Sequence, residues 1–169
     1  MTTLILLRLV HVVLGAVWVG MAVFSTFWLS PAFQEAAPDG AKVMAALQRR
    51  GMMTVMPILA LGTLLSGIWL YWRASAGFQA EYVTSRMGLT FGLGGTAAIL
   101  AYGIGMVVMR PWMMRSMALA QTLSSATPAE REQRMAEIQR LRARGAAASR
   151  WVALLLIAAV AAMAVGRYV

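Results

Sequence analysis

The sequence predicts an all-α fold, an integral membrane four-helix bundle, and three observations carry that prediction. Sixty per cent of the 169 residues are hydrophobic and 12% are charged, against roughly 45–50% and about 25% in soluble domains. The few charges leave four long uncharged intervals between them. Each interval is close to the roughly 20 residues a helix needs to cross about 30 Å of hydrocarbon. Helices are the form expected, because a spanning helix satisfies its own backbone hydrogen bonds where lipid offers no partner.

The first interval is residues 9–34, which are 26 uncharged residues between Arg8 and Glu35. Its apolar stretch is longer than the 7–15 residues of a secretory signal, and its basic residue lies within the helix, so a retained span at about 5–30 is expected. Pro38, Asp39 and Gly40 suggest a turn, followed by a short amphipathic helix over about 41–50. The second interval has 22 residues between Arg50 and Arg73, and the third has 23 between Arg86 and Arg110. They predict spans at about 51–72 and 87–109. The fourth has 16 residues between Arg150 and Arg167, lengthened by the small residues at 145–149, and predicts a span at about 147–167. Thr127, Pro128 and Glu130 read as an N-cap, a proline in the first turn and the glutamate of a capping box. The last helix should therefore start well before its apolar part, with Met135, Ile138 and Leu141 as an apolar seam. Met109, Met113 and Met117 continue the third helix, with at most a kink at Pro111. Helices 3 and 4 thus extend into a cytoplasmic hairpin over about 110–146, turning near 124–127. Residues 1–169 form a single transmembrane domain.

Sidedness follows from the basic residues. Lys42, Arg49, Arg50 and the eight arginines at 110, 115, 131, 134, 140, 142, 144 and 150 make eleven at one end. Arg8, Arg73, Arg86 and Arg167 make four at the other. Basic residues stay with the cytoplasm, so both termini should face the periplasm of a bacterial inner membrane. Trp28, Trp112 and Trp151 fall at the expected cytoplasmic ends, and Trp69, Tyr71, Trp72 and Tyr168 at the outer ends. The net charge of +9 is then a topology signal and an attraction to anionic lipid headgroups; no nucleic acid partner is expected.

Chemical groups are scarce. There is no cysteine and one histidine, which excludes disulfide scaffolds, thiolate metal sites and a paired-histidine metal site within one chain. No acid or base falls in the middle of a span, where ion-coupled transporters and proton pumps usually carry one. His11 is the exception, about one turn inside the first span. Gly15, Trp18, Ala22 and Ser25 follow it on one face. It can ligate a tetrapyrrole, haem b or a chlorophyll-type ring, with Trp18 packing beside the macrocycle. The plain alternative is a neutral histidine hydrogen-bonded to a neighbouring helix. The methionines at 106, 109, 113, 114 and 117, with Met52, Met53 and Met56, are soft ligands suited to Cu(I), but they read more simply as adaptable packing groups. Small residues mark close helix approach: Gly88, Gly92 and Thr96, then Ala97, Ala101 and Gly105, and also Gly62 and Ser66. These rows serve packing within the chain or contact with another subunit.

Leu7-Arg8-Leu9-Val10-His11 with Gly15, Trp18 and Gly20, then Ser30-Pro31-Ala32-Phe33, resembles the opening helix of the copper-resistance protein D superfamily. Leu65-Ser66-Gly67-Ile68-Trp69-Leu70-Tyr71-Trp72-Arg73 and Val108-Met109-Arg110-Pro111 are similar to its uncharacterised bacterial four-helix members. More distantly, the chain resembles haem-binding membrane protoporphyrinogen oxidases. That resemblance implies a haem-ligand role for His11. The activity of those relatives also depends on an intramembrane lysine, whereas the one lysine here is Lys42, in a loop. The sequence therefore favours a non-catalytic membrane scaffold or accessory subunit, packed against partner subunits or further copies of itself. The alternatives are a tetrapyrrole-binding redox or cofactor-handling protein, including a haem-dependent oxidoreductase, and a copper-related membrane protein.

Overall fold

In the computed structural model, which describes residues 2–37 and 39–169, four long helices dominate. Helix α1 runs Thr2–Glu35, followed by a shorter α2 at Asp39–Arg49. Helix α3 runs Met52–Ala74, and a single turn of helix, α4, covers Ala80–Val83. Helix α5 runs Arg86–Gln121 and α6 runs Pro128–Val165. The turn expected at Pro38 falls partly outside the described residues; Asp39 and Gly40 already belong to α2. The four long helices are each long and apolar enough to cross a bilayer, and the chain is a multi-pass membrane protein.

The packing is pairwise. Helix α1 lies chiefly along α3 and α5 chiefly along α6, with lighter contacts between α3 and α5 and between α1 and α6 closing the ring. The core where they meet is built from small residues around two large ones. Trp18 and Ala22 come from α1, Ala60 from α3, Ala98 and Ala101 from α5, and Val152, Leu156 and Ala159 from α6. Large apolar side chains point outward instead: Ile5, Ile58, Leu93 and Val107 are all more than half exposed. That arrangement suits a solvent of lipid, in which large apolar groups gain little by leaving it and close backbone approach supplies the attraction.

Both α1 and α5 widen locally. A π-helical stretch covers Ser25–Leu29 in α1 and another covers Ile104–Met109 in α5. Each ends two residues before a proline, Pro31 or Pro111. Proline lacks the amide that would bond the carbonyl four residues back, and its ring collides with that carbonyl. The wider turn takes up the misfit: the Ser30 amide bonds the Ser25 carbonyl and the Arg110 amide bonds the Gly105 carbonyl. The expected kink at Pro111 is thus a spread of the helix over six preceding residues.

At about 1.5 Å per residue, the 36 residues of α5 and 38 of α6 exceed the hydrocarbon thickness of about 30 Å by roughly 25 Å. The surplus of α5, Arg110–Gln121, makes a contact with α6. Ile138 and Leu141 are buried in it, and Met135 remains 42% exposed. Residues three apart drift around the helix by about 60° per step, so Met135 is carried off the face that Leu141 buries. The hairpin turn is fixed by polar groups. The Thr127 amide donates to Glu130 Oε2 at 2.9 Å, and the Glu130 amide donates to Thr127 Oγ1 at 3.4 Å. This is the capping box read from the sequence. Arg134 Nη1 reaches across the turn to the Thr122 carbonyl at 2.8 Å.

At the opposite end the α3–α5 connection adopts an unexpected form. Ala76, Gly77 and Phe78 all have left-handed backbone angles, with φ of 48°, 88° and 65°. Side chains with a Cβ disfavour that region. Ser75, 1% exposed, compensates: its Oγ accepts the Phe78 amide at 2.9 Å and donates to the Trp72 carbonyl at 3.2 Å. Ser85 then caps α5 by accepting the Gly88 amide. No described buried side-chain nitrogen or oxygen lacks a partner.

The hairpin cap makes a pH-linked prediction. The backbone amide and hydroxyl of Thr127 hold the Glu130 carboxyl below the usual carboxylate range. A folded-state value below the unfolded one stabilises at neutral pH, and that stabilisation is lost as pH falls through the carboxylate range. Thr127→Ala should cost the α6 start about 0.5–2 kcal/mol. Hydrogen exchange over 128–140 should rise at pH 7 and respond less to acidification than in the parent, while the apolar parts of the helices stay protected.

Candidate functional site at the α1–α3 seam

The seam between α1 and α3 is held by alternating bulk and gap. On α3, a Cβ added at Gly62 would sit 2.7 Å from Leu14 Cδ1, and one added at Gly67 would sit 2.7 Å from His11 Cε1. On α1, a Cβ at Gly15 would meet Thr63 Cγ2 at 3.3 Å. Each helix therefore offers bare backbone where the other presents a side chain. Leu14 and His11 are one face of α1, being three residues apart, and Gly62 and Gly67 are separated by a little over one turn of α3.

Polar bonds fix the histidine in this seam. His11 Nδ1 lies 2.9 Å from the Thr63 carbonyl oxygen and 3.2 Å from Ser66 Oγ. A carbonyl only accepts, so the short contact requires the proton on Nδ1. The Ser66 hydroxyl donates elsewhere, to the Gly62 carbonyl at 2.7 Å, with the Thr63 carbonyl at 3.0 Å, which leaves its lone pairs for the same Nδ1 proton. A neutral imidazole held this way carries its free lone pair on Nε2. Thr63 and Ser66 are 7% and 6% exposed, so the bonded edge of the ring is dry while the ring as a whole is half-buried.

The structure distributes the other sequence-predicted residues differently. Trp18 lies about two turns along α1 from His11 and belongs to the bundle core with Ala22 and Ala60. Gly62 and Ser66 both lie in the His11 seam. Gly88 packs on the carbonyl of Tyr82 in the preceding turn, and its own carbonyl accepts the Tyr71 hydroxyl at 3.0 Å. Gly92 faces the same hydroxyl, with an added Cβ 3.5 Å from it. Thr96 is exposed, its hydroxyl bonded back to the Gly92 carbonyl. The row that meets another helix closely is a different one. Gly94, Ala98 and Ala101 are buried against α6, where a Cβ at Gly94 would lie 3.2 Å from the Ala159 carbonyl. The methionines scatter: Met56 and Met109 pack on the core, Met117 Sδ accepts from Gln48 Nε2 of α2 at 3.4 Å, and Met113 and Met114 are exposed. The described residues include no group of three His, Cys, Asp or Glu placed to hold a metal ion.

Leu14 and Thr63 are seam residues that sequence reasoning did not single out, and Gly67 entered it only within the segment 65–73 that carries the resemblance. Gly67 stands five residues after Gly62, which matches no small-residue row, and its partner is 56 residues away in the chain.

Fold and seam together define a class: a multi-pass helical membrane protein whose first two spans are keyed together by a histidine seated on a glycine. No family model, curated protein or solved structure matches the chain.

If Gly67 is the seat of the His11 ring, Gly67→Ala should push the ring off its Thr63 bond and cost about 1–3 kcal/mol, as overpacking of a close contact does. An added Cβ at Gly95 meets nothing within 4 Å, so Gly95→Ala supplies the helix-propensity gain alone as a control. Thermal unfolding in detergent should rank Gly95→Ala above the parent and Gly67→Ala below it. Nitrogen chemical shifts of His11 should report the proton on Nδ1 in the parent.

Proposed function

We propose that this protein is a non-catalytic integral membrane protein, an accessory subunit or scaffold that docks through its helix faces against another membrane protein or a further copy of itself. One observation carries the reading. Helix α5 has two small-residue faces, and α6 occupies only the one made by Gly94, Ala98 and Ala101. The other, with Gly92, Gly95, Thr96 and Gly103, is turned elsewhere. An added Cβ at Gly95 or Gly103 would meet nothing within 4 Å, and at Gly92 only a tyrosine side chain. Glycine facing lipid loses backbone order relative to alanine and gains no contact, whereas glycine facing a helix admits its backbone. The basic asymmetry supports a bacterial inner-membrane setting with both termini in the periplasm and the α5–α6 hairpin in the cytoplasm.

Gly95→Leu distinguishes partner from lipid on that face. The isolated variant should unfold at or above the parent temperature, because the site is open and leucine is the better helix former. Its recovery with co-purifying membrane proteins, or as an oligomer in mild detergent, should fall. Retention of the parental assembly would overturn the docking reading.

A second reading rests on His11. Ligating histidines usually donate their other ring N–H to a carbonyl or carboxylate, which orients the ring and raises the basicity of the ligating nitrogen. The Thr63 carbonyl and Ser66 stand in that relation to Nδ1, and Nε2 has the lone pair a haem iron or a chlorophyll-type magnesium requires. The resemblance to haem-binding membrane oxidases supports the same residue. Absorption spectra decide it: a Soret band that His11→Ala removes would establish tetrapyrrole ligation, and a colourless parent protein from haem-sufficient cells would dismiss it.

A further inference from the structure

The hairpin end of the bundle holds a cavity of about 590 Å³ between α5 and α6. Trp112 and Arg115 line it from α5, and Gln133, Glu137, Arg140 and Arg144 line it from α6. Successive multiples of three and four residues put the α6 set on one stripe, and Trp151 continues that stripe toward the apolar part of the helix.

The charges in this cavity are unbalanced. Glu137 is engaged by Arg115. Among the described residues, neither Arg140 nor Arg144 forms a salt bridge. These two guanidinium groups are one turn apart on the same face, a like-charge spacing that destabilises a helix in the absence of an anion. Each presents a planar fork of donors that matches the oxygens of a phosphate. The depth is also informative. Arg144 lies three residues, about 4.5 Å, before the start of the apolar span of α6 at about 147, and Arg140 one turn further out. That puts Arg144 at headgroup depth in a bilayer whose polar regions add roughly 5–8 Å on each side of the hydrocarbon, with the long Arg140 side chain able to reach back to it. Trp112, half-buried in the cavity wall, and Trp151, 65% exposed, are side chains that favour the same boundary.

We propose that this cavity binds the phosphate headgroup of an anionic phospholipid, with Arg140 and Arg144 as its ligands, Arg115 held in place by Glu137, and the acyl chains running along the α6 face past Trp151. The site rests on the chain being a membrane protein and is independent of whether a partner docks on α5. A diffuse attraction of basic residues to anionic lipid would treat all exposed arginines alike. The cavity is lined by three, and two of those have no carboxylate partner among the described residues.

Native mass spectrometry of the full-length protein in detergent tests this, with phosphatidylglycerol and phosphatidylcholine of matched acyl chains offered in turn. The parent should retain phosphatidylglycerol in preference to phosphatidylcholine. Arg140→Gln with Arg144→Gln should weaken that retention by about 25-fold, two basic side chains at roughly a factor of five each. Arg131→Gln with Arg142→Gln removes the same charge from exposed positions outside the cavity and should stay near the parent. Arg140→Lys with Arg144→Lys keeps the charge but loses the fork, and should fall between, with unchanged thermal unfolding. Equal losses in the two glutamine pairs, or no preference between the lipids, would overturn the proposal. So would displacement of the lipid by equimolar inorganic phosphate, which would make a soluble phosphate compound the occupant. Failure of the membrane reading would look different: the chain would remain monodisperse after detergent removal.

Discussion

The constraint on which this structure depends is the inability of hydrocarbon to hydrogen-bond a peptide group. Every backbone amide and carbonyl within the spans must find its partner inside its own segment, and in 23 residues of α3 or the long runs of α1, α5 and α6 that partner is the neighbouring helical turn. Even the departures obey it. Where Pro31 and Pro111 remove a donor, the helix widens into π turns instead of opening to lipid. Threonine and serine side chains in the spans donate back to carbonyls three or four residues earlier, as Thr63, Ser66 and Thr96 do.

Once the backbone is satisfied, the driving force for packing helices together must come from something other than excluding water. The core of Trp18, Ala22, Ala60, Ala98, Ala101, Leu156 and Ala159 shows the solution, in which most residues at the crossing points are small and the bulky ones face out. Dispersion between closely placed backbones then supplies the attraction that burial supplies in water. The α1–α3 seam adds a directed polar contact. The bond from His11 to the Thr63 carbonyl joins two helices through a group that would be costly to leave unpaired at that depth. The seam therefore fixes the register between α1 and α3 as well as their separation. The bonded nitrogen is Nδ1, so a packing role through it and a ligand role through Nε2 would draw on different atoms of one ring.

The two ends of the molecule differ in kind. At the α3–α5 end, three successive left-handed residues are held by a buried serine, and Tyr71, Phe78 and Tyr82 pack around the turn. Burial, with Tyr71 alongside, raises the Tyr82 hydroxyl above the usual tyrosine range, and this end carries four of the fifteen basic residues. At the α5–α6 end, the helices continue beyond the apolar stretch, and their arginines outnumber the acids available to pair with them. The more cationic of the two ends is the one suited to contacts with anions.

Much of this was legible in the amino-acid sequence. The four spans follow from the placement of 21 charged residues, because a charge is costly in hydrocarbon and its position marks a boundary. The start of α6 follows from Thr127, Pro128 and Glu130, because a capping box is local chemistry complete within four residues. His11 stood out as a polar group inside an apolar span. What the sequence left open is which small residues meet which helix. Gly88, Gly92 and Thr96 repeat at four-residue spacing as well as Gly94, Ala98 and Ala101 approximate it, and periodicity ranks them equally. Only the packed structure turns the second row onto α6, sets Gly88 and Gly92 of the first beside Tyr82 and Tyr71, and leaves Thr96 exposed. Only the packed structure seats His11 on Gly67 and sets its Nδ1 at hydrogen-bond distance from the Thr63 carbonyl. The left-handed run at Ala76, Gly77 and Phe78 was equally hidden, since two of those residue types disfavour it. The sequence by itself determined which segments enter the membrane, because each segment's transfer from water to lipid is settled within that segment. The rotation and register of each helix against its neighbours were decided by tertiary structure alone, because the contacts that choose between two similar faces join residues of different helices far apart in the chain, as His11 and Gly67 are.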